Sequence, residues 1–267
     1  MTKSRSDRLL KNIFGSSALK GISIVLSFVY LPIILSYLGA ERYGIWVLLS
    51  GFVGWILSVD FGIGNGLRNK LAEAYAKNDN QRSKTIVSTG YAAATVMAMV
   101  FIVVLLVVNS NTEWASAVGI DSGYEDEVKN ASFVLIFYVG IRFALSLINS
   151  TAYGVQRPIY PSVCALFEQI AMLFIVFMLT AGKEGSLEVI SVIQFFTSTL
   201  IILLFTLIFF IFIDNRIAPS IRYFDFSTTK ELFGLGGQFF VIQIAGLVMF
   251  QLQNILVMKY YGVAEVT

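Results

Sequence analysis

The sequence contains no histidine and a single cysteine, Cys164, and only 13% of its 267 residues are charged. Without a second thiol there is no disulfide framework, and without Cys/His pairs there is no Cys/His metal cluster, so no metal or cofactor is expected. The lack of histidine also removes every catalytic triad built on an imidazole base. A soluble domain carries roughly a quarter charged residues. Half that share, beside 57% hydrophobic residues, points to the bilayer as the solvent. The net charge of +2 is spread over separate loops, which argues against a nucleic-acid partner.

What the chain does contain is a series of long apolar runs. With ~20 residues needed to cross a ~30 Å hydrocarbon core, seven spans are predicted, at about 13–38, 43–61, 84–108, 130–152, 160–182, 187–213 and 234–261. The first is longer than a signal-peptide core, lacks a small-residue cleavage pattern and is followed by further spans, so it is expected to be retained. With the N-terminus inside, the inner segments hold Lys3, Arg5, Arg8, Lys11, Arg68, Lys70, Lys77, Arg82, Lys84, Arg157, Arg216, Arg222 and Lys230. The outer segments hold only Arg42, Lys129, Lys183 and Lys259. Cytoplasmic loops retain cations, so the N-terminus is expected in the cytoplasm. Tyr37, Tyr43, Trp46, Tyr153 and Tyr160 are placed where membrane-interface aromatics gather.

Between the second and third spans, Leu67, Leu71, Ala74 and Tyr75 recur at helical spacing beside Arg68, Lys70, Glu73 and Lys77. Two readings fit: an amphipathic helix on the inner membrane surface, or a solvated extension of the second span. The outer stretch Asn109–Lys129 carries Glu113, Asp121, Glu125, Asp126 and Glu127, as a solvated loop would. A short echo links Tyr37-Leu38-Gly39-Ala40 to Tyr260-Tyr261-Gly262-Val263 and hints at a second repeat starting with the seventh span.

At the inner end of the second span, Gly62, Gly64 and Gly66 allow close backbone approach and turns that a β-carbon would obstruct. Asp60 beside them is suited to cap the following helix, or to pair with Arg68; an ion-coupling role is the functional alternative. Gly154 and Arg157-Pro158 read as a tight inner turn.

Three ionisable residues lie well inside apolar spans: Lys20, Arg142 and Glu168. A charge at mid-bilayer costs about 2.5–3.5 kcal/mol even on the mildest scale, so such residues face a bundle interior or water. A helical rise of ~1.5 Å per residue puts Lys20 and Glu168 roughly 12 Å from the inner face and Arg142 roughly 15–18 Å from the outer face, near one level. Arg142 and Glu168 then form an internal salt bridge on neighbouring antiparallel helices, or the cations line a wet cavity for an anionic ligand. Lys20 has the further option of snorkelling to the inner interface. Asn149, Gln169, Gln194, Gln238, Gln243, Gln251, Gln253 and Asn254 are candidates to hydrogen-bond a hydroxylated ligand or one another.

Several segments together resemble one family. Asp60-Phe61-Gly62-Ile63-Gly64-Asn65-Gly66-Leu67, Tyr37-Leu38-Gly39-Ala40-Glu41-Arg42-Tyr43-Gly44 and Gly154-Val155-Gln156-Arg157 are similar, in this order, to the polysaccharide-exporter and O-antigen flippase branch of the multidrug/oligosaccharidyl-lipid/polysaccharide transporter superfamily. The resemblance implies an all-α membrane protein made of two six-helix bundles. Here it assigns residues 1–215 to the first bundle and 216–267 to an inner linker and the first helix of a second bundle, where the chain stops. It implies flipping of a lipid-linked oligosaccharide across the bacterial cytoplasmic membrane by alternating access, with Lys20, Arg142, Glu168 and Asn149 as cavity candidates and Asp60, Gly62, Gly64 and Arg68 as the structural motif. Membrane lipids, a coupling proton or sodium ion, and polysaccharide polymerase and chain-length proteins are the implied partners. A multidrug exporter of the same superfamily would favour an acidic cavity, which Lys20 and Arg142 oppose and Glu168 keeps open. A polymerase or ligase would need a gathered set of acid/base groups, which the short loops do not offer. A non-catalytic membrane subunit is the third alternative.

Overall fold

The computed structural model describes residues 2–180, 182 and 184–261, with side chains described from 14 to 249 except at 118, 179–181, 183, 235, 247 and 248. Among these residues the chain is nearly all helix, without a β-strand. Five helical segments are long and apolar enough to cross a membrane, the first of them 63 residues long. The chain is a multi-pass membrane protein. Its outward surface agrees: Val96, Met99, Val100, Val103, Val104 and Val107 form an exposed apolar strip on one helix, a surface that lipid covers and water would not tolerate.

The first helix, α1 (Thr2–Ser58), is continuous in hydrogen bonding but broken at Gly39, whose φ of 72° and ψ of 170° are not helical. In a straight helix Tyr30 and Ser50 would stand about 30 Å apart. Both line one cavity, so the chain doubles back at Gly39. The two limbs are the first two expected spans. Pro32 sits inside the first limb, where neighbouring helices can satisfy the freed carbonyl.

A second corner follows at Phe61 (φ 51°) and Gly62 (φ 77°), two successive left-handed residues. Asp60 Oδ1 accepts the Gly62 amide at 2.9 Å and stabilises the turn. A left-handed non-glycine residue costs roughly 1–2 kcal/mol, and the Phe61 ring offsets this by packing against Phe101 and Phe240. The corner leads into α2 (Ile63–Ala76). Its apolar face, with Leu67 and Leu71 fully buried, is covered by other helices of the protein. This departs from the surface-helix expectation: α2 lies on α3 (Asn80–Asn111), α6 (Leu147–Gly154) and α9 (Phe226–Tyr261), not on lipid.

Asp79 caps α3 by accepting the Arg82 amide at 2.8 Å. The acidic stretch after α3 is more ordered than a solvated loop. It holds a short helix, α4 (Trp114–Val118), and the start of α5 (Glu125–Leu145). Glu125 accepts the Trp114 and Ala115 amides and joins the two. At Ser146, whose φ of −61° and ψ of −16° stay helical, α5 passes into α6 (Leu147–Gly154), and the two run as one apolar helical segment, Ser122–Gly154. Next come α7 (Ile159–Thr180), α8 (Leu187–Ile208), a widened turn over Phe209–Ile213, and α9 (Phe226–Tyr261), which contains the seventh expected span. Gly262 and Val263 of the repeat echo lie outside the described residues.

Two apolar clusters hold the bundle. One, at the α2 end, includes Leu67, Leu71, Ile148, Phe209, Ile217 and Leu232. The other, at the Gly39 end, includes Ile34, Trp46, Leu135, Val176, Leu187 and Ile190. Trp46 and Tyr37 are buried among the helices of this cluster. Tyr160 likewise packs on Phe205 and Phe209. Tyr153 is exposed.

Side-chain bonds tie the loops into the two groups that the charge pattern separated. At one end Arg42 pairs with Glu127 at 2.9 Å, Glu127 also accepts the Leu187 amide, and the Tyr124 hydroxyl donates to Glu41. At the other end the Tyr75 hydroxyl donates to buried Asp214, and the Ser220 and Asp225 amides donate to Ser88 and Thr89. The hydroxyl and amide of Thr228 hold the Asp225 carboxyl below the usual carboxylate range.

Candidate functional site

Arg142 on α5 and Glu168 on α7 fall between the two apolar clusters. On α5 Val139 belongs to one cluster and Phe143 to the other; on α7 Met172 and Cys164 do the same. Arg142 Nη2 lies 2.7 Å from Glu168 Oε2, with side-chain exposures of 17% and 15%. The internal salt bridge is thus formed, with one difference from expectation. Helices α5 and α7 both pack extensively on α8, and the guanidinium crosses it, with Nη1 3.4 Å from the Ser198 carbonyl.

The pair opens onto a cavity of about 560 Å³ walled by both limbs of α1 and by α5, α7 and α8. Its polar groups are held from several sides. Gln169 donates to the Ser23 carbonyl and the Ser27 hydroxyl, both at 2.8 Å. Gln194 donates to the hydroxyls of Ser198 at 2.8 Å and Tyr138 at 3.3 Å. Tyr30 and Trp46 add aromatic walls. Tyr30, Ser50 and Ser198 were not singled out in the sequence, and Trp46 reads there as an interface aromatic. An aromatic or small hydroxylated residue in an apolar helix carries no signal of its own, and only the doubling back at Gly39 brings the α1 residues here.

The other two cavity candidates stand elsewhere. Lys20 is exposed on the first limb of α1, one turn before Ser23, and has no ion pair among the described residues. Asn149 is half-buried on α6 and does not line the cavity. Of the remaining amides, Gln238 is exposed, and the side chains of Gln251, Gln253 and Asn254 lie outside the described residues.

The glycine motif forms a separate structure. Asp60 Oδ1 accepts from Gly62 and, at 2.9 Å, from Gln243 of α9. Arg68 is exposed and has no ion pair with Asp60. Neither structural role weighed for Asp60 is found as expected: Gly62 is the N-cap of α2, without a side-chain cap bond, and Arg68 does not pair with Asp60, whose Oδ1 instead joins the Gly62 turn to Gln243 of α9. A β-carbon on Gly62 would overlap the Gly236 carbonyl, one on Gly236 would overlap that of Gly62, and one on Gly66 would meet the Leu232 carbonyl. Gly64 is pressed against Asp60 and Ser150. Backbone therefore meets backbone where α2 crosses α9. Beside this crossing Glu231 of α9 is held by Arg82 at 2.7 Å and Lys70 at 3.5 Å, and Arg82 also donates to Thr228.

Residues 9–266 match the family described as polysaccharide biosynthesis protein. A proposed O-antigen export protein of Yersinia pseudotuberculosis is 23% identical over 242 residues, which cover 88% of this chain and 53% of that protein. A proposed O-antigen transporter of Salmonella typhimurium strain LT2 is 29% identical over 146 residues, 54% of this chain and 32% of that protein. The chain spans about half the length of the first of these relatives. Among solved structures, an outward-facing multidrug resistance transporter of the MATE family in the MOP superfamily matches with a TM-score of 0.78 at 14% identity, over 96% of this chain and 57% of that chain. A MOP superfamily transporter from Pyrococcus furiosus matches with a TM-score of 0.77 at 14% identity, over the same shares. These two likenesses establish the fold.

Proposed function

The chain belongs to the polysaccharide biosynthesis protein family, and from that premise we propose that it supplies the first bundle of a transporter that flips a lipid-linked oligosaccharide across the bacterial cytoplasmic membrane. The observation that carries this reading is the polar cavity around Arg142 and Glu168 in a bundle whose outer surface is apolar. Such a cavity lets a hydrated head group cross while its lipid tail stays in hydrocarbon. Because Glu168 is neutralised by Arg142, the cavity has no free carboxylate for a cationic drug, which favours a sugar substrate over a multidrug one. Lys20, exposed one turn before Ser23, whose carbonyl accepts from Gln169 of the cavity wall, is the cation we assign to the pyrophosphate. The relatives are described as exporters and transporters, and we read this chain as a carrier, not an enzyme.

We place the N-terminus and the α2 end in the cytoplasm from the cation bias. We assign residues 1–215 to the first bundle and 216–267 to a linker and the first helix of the second. Alternating access then changes how the halves meet at the α2–α9 crossing, driven by a coupling proton or sodium ion, and the product passes to polymerase and chain-length proteins. The reading is tested by expressing a gene for the two-bundle transporter that carries this chain, in a strain that lacks its own lipid-linked oligosaccharide transporter, and measuring surface polysaccharide. Restoration that is lost on Gln194→Leu, with protein abundance unchanged, is expected. Accumulation of the intermediate on the inner leaflet whether or not the gene is expressed would refute it.

A further inference from the structure

We propose that the Arg142–Glu168 cavity binds a neutral, hydroxyl-rich sugar ring, and that it does not bind the pyrophosphate of the same substrate. This rests on the reading of the cavity as the substrate site and specifies which part of the substrate it takes. The groups left over after the internal bonds are made decide the matter. Glu168 uses Oε2 for Arg142, Gln169 uses its amide nitrogen for Ser23 and Ser27, and Gln194 uses its own for Ser198 and Tyr138. Among the described residues, Glu168 Oε1, Gln169 Oε1 and Gln194 Oε1 accept no hydrogen bond, and none of them is sealed from the cavity. The spare valences are thus these three acceptors, beside the N–H groups of Arg142 that its two bonds leave over and the hydroxyls of Tyr30 and Ser50.

An ionised pyrophosphate has only acceptors to offer, so it would leave the three carboxylate and amide oxygens unpaired. Its charge would find no compensation, because the one cation of the cavity is paired 2.7 Å from a carboxylate. A sugar hydroxyl donates and accepts, so three acceptors around an aromatic wall suit a ring with several hydroxyls and apolar C–H faces. The volume of about 560 Å³ falls in the range of small-molecule sites, roughly 300–1,000 Å³. The pyrophosphate is then left outside the cavity.

Two probes in lipid nanodiscs separate the possibilities: farnesyl pyrophosphate, and the same lipid carrying one N-acetylhexosamine. Binding of each to the unmodified chain is measured by titration calorimetry, in sodium chloride and again in choline chloride. The sugar-bearing probe is expected to bind about tenfold or more tightly than the bare pyrophosphate, the scale of one or two hydrogen bonds. Gln194→Leu and Gln169→Leu, each checked for an unchanged melting temperature, should remove that preference and leave the bare probe unaffected. Three results would each overturn the proposal: equal binding of the two probes with both weakened by Arg142→Ala, binding of neither, or a preference present only in sodium, which would mark the acceptors as a cation site. If Gln194→Leu abolishes surface polysaccharide while the two probes bind equally, the transport function stands and only the sugar assignment fails.

Discussion

Arg142 Nη2 and Glu168 Oε2 are 2.7 Å apart, in the gap between two apolar clusters and with neither side chain more than a fifth exposed. Removing one member of a buried pair costs about 3–5 kcal/mol, because the other charge is stranded. Arg142→Ala is expected to lower protein abundance in membranes, and Arg142→Ala/Glu168→Gln to restore most of it. Surface polysaccharide should stay low in the double variant, since the cavity has lost its shape and a carboxylate acceptor. Recovery of both abundance and polysaccharide would show that the pair is a structural counter-ion only.

Three glycines form a graded series. Gly21→Ala introduces a β-carbon into open space at an ordinary φ, and should leave stability unchanged or raise it by up to about 1 kcal/mol. Gly39→Ala also meets open space but at a φ of +72°, and should cost about 1–2 kcal/mol. Gly62→Ala combines a φ of +77° with overlap of the Gly236 carbonyl, and should cost the most, seen as loss of monodisperse protein in detergent. Equal melting temperatures for all three would contradict the α2–α9 packing.

The two ends of the bundle should be labelled from opposite sides of the membrane. Cys164 is buried, so Cys164→Ser serves as a silent background. Lys77→Cys in that background is expected to resist an impermeant maleimide in intact cells, and Ser122→Cys to react. The reverse pattern would invert the orientation.

Lys20 is exposed and has no ion pair among the described residues, so Lys20→Ala should leave abundance within about 0.5 kcal/mol of the parent's stability. Polysaccharide export should fall several-fold and be partly recovered by Lys20→Arg, which keeps the charge. Full export from Lys20→Ala would remove Lys20 from the substrate path.

The parts of this structure that were legible in the sequence are those encoded by distance along the chain. Span lengths followed from apolar runs, and the Arg142–Glu168 pair from two rare charges at one depth. Rise per residue gives depth but not rotation about the helix axis. Lys20 was expected at the depth of the pair and stands outside the cavity, because only packing decides which way a helix face turns. Likewise the bond from Gln243 to Asp60 spans 183 positions, and no local pattern encodes it.

Gly39 lies nine residues from Tyr30 and seven from Trp46, about 14 Å and 10 Å of helix. Both rings wall the same cavity from opposite limbs, so the two helices act as the arms of a pair of tongs with Gly39 at the rivet. A swing of about 5° at the rivet carries Tyr30 through about 1 Å over such an arm. The spacing of the two rings is thus set across the one residue of the turn that has no side chain.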